Sequence, residues 1–163
     1  SLDKAAVLAK IDGLTTGSGT AGHLGTAWSY YFLSPKWNAV LPAASQAAAY
    51  KTAKLKKIAI LMTDGEYNQE YDPNGVDAGD KHGGSAANGV TSAAQAIALC
   101  AEMKKNSIEV FTVGFDLPNQ AAINTVNGCA SDPNKAYTVA TGEQLKAAFR
   151  DIAIRTTELH LAK

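Results

Sequence analysis

At 163 residues the chain has room for one domain with a sizeable core, and an apolar content of 46% excludes a disordered chain. Fifteen Lys and Arg balance fifteen Asp and Glu, so no net field draws it to nucleic acid or to an anionic membrane. Apolar runs such as Ile58–Met62 fall far short of the roughly 20 residues that span a bilayer, so the chain carries no transmembrane helix.

Residues 1–11 place Leu2, Ala5, Ala6, Leu8, Ala9 and Ile11 near a 3.6-residue repeat and predict a helix stopped by Asp12-Gly13. The order of charge and apolarity there is not that of a signal peptide, so an export signal is expected upstream of Ser1. A polar, Gly-rich loop over 15–20 leads to a second helix that carries Leu24, Ala27, Trp28, Tyr31 and Phe32 and ends before Ser34-Pro35. Residues 43–54 are Ala-rich and read as a helix or a mobile connection. The run 57–62 then reads as a strand buried on both faces, and Thr63-Asp64-Gly65 follows it directly as a turn.

Residues 66–89 are rich in Gly, Asp and Asn and predict a long surface loop, a length often tied to function. An amphipathic helix is expected over 91–105, its basic end Lys104-Lys105 matched to the helix dipole. A strand over 108–115, a short helix over 119–126, a strand over 136–140 and a final helix over 142–159 complete the chain. Strands alternating with helices predict an α/β fold with a parallel sheet, a single domain over 1–163. Ligands of such sheets bind beyond the carboxyl ends of the strands, where Asp64 lies.

Each motif has a plainer reading. Gly17 to Gly22 matches G-x-G-x-x-G, but a helix precedes it and no acid stands about 20 positions later, so nucleotide binding is not expected. The carboxylate of Asp64 is aimed out of the sheet by a rigid strand end, although a residue there can also simply cap its turn. The stretch Asp72 to Asp80 holds three acids but lacks the Glu and spacing of an EF-hand, and is expected to be a solvated loop. Trp28, Trp37, Tyr30 and Tyr31 read as core and helix packing. No nucleophile–base pair is legible, and His23 reads as a helix-surface residue without an orienting partner. Cys100 and Cys129 fit no zinc quartet; two buried thiols and a disulfide both remain open.

Taken in order, the segments GSGTAGHLGTAW, ILMTDGEYN and LCAEMKKNSIEVFTVGF with the Cys-Ala-Ser-Asp-Pro run resemble the C-terminal half of the von Willebrand factor A (vWA) domain of TadG-like proteins in Tad-type pilus assembly. The resemblance implies a Rossmann-like vWA fold of which the C-terminal portion, three strands, is present. It implies a non-enzymatic protein-binding module for pilus assembly or adhesion, periplasmic or surface-facing and anchored through an upstream segment, its partner a pilus or envelope component. In that family a metal-ion-dependent adhesion site combines an Asp-x-Ser-x-Ser loop, a Thr and an Asp. Thr20 and Asp64 match the last two, as oxygen ligands for Mg²⁺, Mn²⁺ or Ca²⁺.

Asp-x-Ser-x-Ser itself occurs nowhere in the chain. The motif and first strand are therefore expected upstream, and metal binding by these residues alone is expected to be weak or absent. The strand ending near Asp64 would then have a bare edge, covered by a missing segment or another chain. The oxidising location that the resemblance implies favours a Cys100–Cys129 disulfide. The alternatives are a structural domain with a non-functional metal site and a metal-dependent hydrolase using Asp64.

Overall fold

A computed structural model describes residues 3–15, 19–71, 74 and 90–157. Among these, helix α1 spans Lys4–Asp12, α2 Gly22–Leu33, α3 Ser92–Lys105, α4 Gln120–Cys129 and α5 Gly142–Thr157, with strands β1 Lys57–Thr63, β2 Ile108–Phe115 and β3 Ala136–Val139. The strands form one parallel sheet in the order β1-β2-β3, with α3 and α4 as the crossovers. This is the α/β architecture that the alternation of patterns predicts.

The pairing of β1 with β2 sets the two faces of the sheet. Lys57, Ala59 and Leu61 lie opposite Ile108, Val110 and Thr112, while Ile58, Ile60 and Met62 lie opposite Glu109, Phe111 and Val113. On the first face Ala59, Leu61, Ile108 and Val110 pack with Met103, Cys100 and Cys129 beneath α3 and α4. On the second, Phe111, Val113 and Ile152 pack beneath α5. Burying a side chain such as Ile152 contributes about 1.5–3 kcal/mol.

The helix termini follow their capping residues. Thr91 Oγ1 accepts the Ala94 N–H at 3.2 Å to start α3, and Asn119 Oδ1 accepts the Ala122 N–H at 3.0 Å to start α4. Past the end of α3, Ser107 adopts φ 58°, which turns the chain into β2. Lys104 Nζ reaches across to donate to the carbonyls of Gly128 (3.0 Å) and Ala130 (3.1 Å), where a cation suits the end of α4. A disulfide joins Cys100 of α3 to Cys129 of α4, so the thiol alternative is resolved in favour of the bridge. Tyr137 Oη of β3 donates to Asp151 of α5, which also pairs with Arg155 at 2.7 Å.

Four expectations change. First, β1 is not buried on both faces: Ile60 and Met62 are 44% and 48% exposed, because α5 follows β3 and packs chiefly on β2 and β3. Second, α2 turns His23, Thr26 and Ala27 inward, while Leu24, Trp28 and Phe32 face outward. Of the aromatic group, Tyr30 packs on the core and Tyr31 stacks on Trp37 at 3.8 Å, but Trp28 is 54% exposed. Third, α1 forms from its Asp3 cap and local propensity yet buries none of its residues.

Fourth, of the two readings of residues 43–54 the helix is not formed: a short 3-10 turn, Ala43–Ser45, leads into an irregular connection with turns at Lys51 and Lys54. That connection is held by Lys57 at the start of β1, whose Nζ donates to the carbonyls of Leu33 and Ala48, both at 2.6 Å. Residues 16–18 of the Gly-rich loop, and 72–80 of the acidic stretch apart from residue 74, lie outside the described residues.

Candidate functional site

Strand β1 delivers Thr63-Asp64-Gly65 to the carboxyl end of the sheet. The turn is drawn tight by Thr63, whose Oγ1 accepts the Gly65 N–H at 3.3 Å and donates to the Gly65 carbonyl at 3.0 Å. Asp64 projects from it into solvent. The next residue, Glu66, receives a 2.9 Å hydrogen bond from Asn119 Nδ2 at the start of α4, which ties this loop to the one after β2.

Thr20 arrives from a different part of the chain and meets the same loop. Its N–H donates to Asn68 Oδ1 at 2.9 Å, and its carbonyl accepts the N–H groups of Asn68 and Gln69, both at 3.2 Å. A Cβ added to Gly65 would stand 3.8 Å from the Thr20 hydroxyl oxygen, so that hydroxyl borders the Thr63–Gly65 turn. Close approach is needed on both sides. A Cβ at Gly19 would collide with the Gln69 side chain, and one at Gly22 would fall on the Tyr67 ring. Thr20 and Asp64, separated in sequence, thus lie on adjoining loops at the same end of the sheet.

Behind these loops is a buried polar cluster. His23 is 8% exposed rather than on the helix surface, and its Nδ1 shares a 2.7 Å hydrogen bond with Ser92 Oγ. Burial lowers the His23 pKa from its ordinary value, against the opposing pull of the Glu70 carboxylate. Glu70 Oε1 accepts the Ser92 N–H at 3.1 Å. A Ser, a His and a Glu in contact invite comparison with a hydrolytic triad, but the carboxylate here bonds to the serine backbone. Ser92 is also 0% exposed, so its hydroxyl is closed off from solvent. Sequence spacing held no signal for this cluster, nor for Asn68 and Gln69, since polar residues in a polar loop look solvent-facing.

The donor set beside Thr20 and Asp64 is hydroxyl and carboxylate oxygen, the chemistry of a hard divalent cation. Among the described residues no group of three or more His, Cys, Asp and Glu side chains converges to hold a metal. No described helix is long and apolar enough to cross a membrane.

The model of the von Willebrand factor type A domain matches residues 1–151. Among solved structures, the pilus adhesin SpaC from Lactobacillus rhamnosus GG superposes with TM-score 0.65 at 15% identity, over 95% of this chain and 21% of that one. The vWF domain of the type V pili tip protein Mfa5 from Porphyromonas gingivalis superposes with TM-score 0.64 at 18% identity, over 99% of this chain and 75% of that one. The chain therefore spans about a fifth of SpaC's length. A search of curated proteins finds no match.

Proposed function

The chain belongs to the von Willebrand factor type A family, and from that premise we propose that it is a non-enzymatic protein-binding module of an extracytoplasmic or surface structure such as a pilus. Its binding end is the loop cluster at the carboxyl ends of the strands, with Thr20 and Asp64 as two ligands of a metal-ion-dependent adhesion site. The observation that carries this reading is the seating of Thr20 against the loop that follows Asp64, through three backbone-directed hydrogen bonds. A divalent cation bound there would offer a coordination position to a carboxylate on the partner.

Two oxygen ligands hold Mg²⁺ poorly, because the ion gives up its waters reluctantly. The remaining ligands and the strand that pairs with β1 are proposed to come from outside these 163 residues. That makes the chain the C-terminal part of its domain, as in TadG-like proteins. The pilus connection is supported by the structural likeness to two pilus proteins. A location outside the reducing cytoplasm is supported by the Cys100–Cys129 bridge.

The test is a Mn²⁺ titration of the protein at its full natural length, followed by calorimetry. Asp64→Ala and Thr20→Ala should each weaken binding by about tenfold or more, roughly 1.4 kcal/mol. Unaltered Mn²⁺ affinity in Asp64→Ala would remove this site from the reading. No Mn²⁺ binding by the unsubstituted protein would make it a structural vWA domain with a non-functional site.

A further inference from the structure

Three segments that share no strand pairing meet at one buried point beneath the Thr20 loop. Glu70 comes from the loop after β1 and is 1% exposed, Ser92 opens α3 at 0%, and His23 lies in the first turn of α2 at 8%. The Glu70 carboxylate accepts the Ser92 N–H, one of the free donors at the positive end of a 14-residue helix. The Ser92 hydroxyl bonds to the His23 ring. Among the described residues Glu70 Oε2 has no hydrogen-bond partner. A buried carboxylate so thinly satisfied is costly, and removing the bond it does make would leave the Ser92 helix donor unpaired.

The position of this cluster in the chain gives it a consequence. Glu70 directly follows Asn68 and Gln69, whose N–H groups clamp the Thr20 carbonyl. His23 stands three residues after Thr20, so both ends of that clamp are anchored on Ser92.

We propose that Glu70 and Ser92 are positioning residues. Together with His23 they form a buried clasp that fixes the Thr20 loop beside the Thr63–Gly65 turn. The clasp itself stands on the geometry; only its effect on metal rests on the adhesion-site reading.

Amide hydrogen exchange in the full-length protein tests it. In Glu70→Ala, exchange at Asn68 and Gln69 should quicken by about tenfold or more beyond that in Val126→Ala, a core control in α4. Glu70→Gln keeps an acceptor for the Ser92 N–H and should retain most of the protection. Equal acceleration in Glu70→Ala and Val126→Ala would overturn the clasp, as would Glu70→Gln behaving like Glu70→Ala. Mn²⁺ affinity should fall with Glu70→Ala and recover with Glu70→Gln. If the unsubstituted protein binds no Mn²⁺, the adhesion-site reading fails while the exchange data still decide the clasp.

Discussion

His23 is held between two opposing demands on its charge. Burial disfavours the imidazolium, the nearby Glu70 carboxylate favours it, and burial prevails, so the folded pKa lies below the ordinary value of 6.5. A depressed histidine binds its proton more readily in the unfolded chain. Its contribution to stability is therefore complete above the ordinary histidine range and lost as pH falls through it toward the folded pKa. The urea midpoint should hold steady above about pH 7 and decline toward about pH 5, before most carboxylates titrate. His23→Gln should flatten that limb; an unchanged slope would show that His23 does not carry it.

The sequence made Asp64 legible because a rigid apolar strand ends beside it, whereas Thr20 stands out only through the resemblance to the vWA family, and it lies just ahead of the Ala21 cap of α2. It could not reveal that His23 is buried. That depends on a bond to a residue 69 positions away, and Ser92 in turn meets Glu70 across 22. Pairings of this kind are fixed by packing and leave no periodic trace.

At the scale of elements, α3 and α4 are fastened on one side of the sheet by Cys100–Cys129, which closes a loop of sequence separation 29. Both cysteines are buried, at 0% and 3% exposure, so the native protein should show no free thiol without denaturant and reductant. Cys100→Ser/Cys129→Ser should lower unfolding stability by about 3–4 kcal/mol, read from urea midpoints, through the entropy restored to the unfolded chain. A shift under about 1 kcal/mol would mean that strain in the fold offsets the link.

Element boundaries were largely readable. The bounds of β2 and of α3 survive in the structure almost residue for residue, because the periodicity of each is specified locally. The buried face of α2 was not. Its small inward residues Thr26 and Ala27 are buried, and Leu24, Trp28 and Phe32 are left outside. Apolar periodicity marks a helix, whereas the depth available beneath it selects the face.

For the molecule as a whole, the three-stranded sheet is unevenly covered. β3 and β2 lie beneath α5, whereas β1 pairs only with β2 among the described residues and leaves Ile60 and Met62 half exposed. An apolar parallel strand with a free edge invites pairing with another chain. The chain 1–163 should therefore associate as its concentration rises in sedimentation velocity. Ile60→Lys/Met62→Lys should keep it monomeric, since lysine on an edge strand opposes edge-to-edge pairing. A monomer at every concentration without the substitutions would show that this edge is not a pairing surface.

The sequence by itself determined the alternation of strands and helices, the parallel α/β class, and the placing of Asp64 at a strand end. These follow from local periodicity, capping and turn chemistry. The tertiary structure alone decided which face of β1 and of α2 is buried, that Cys100 and Cys129 lie close enough to bridge, and that Thr20 rests on the loop beyond Asp64. It also assembled Glu70, Ser92 and His23 beneath that contact. Each of these depends on where separate segments come to lie on the sheet, and long-range packing sets that position without marking the residues that depend on it.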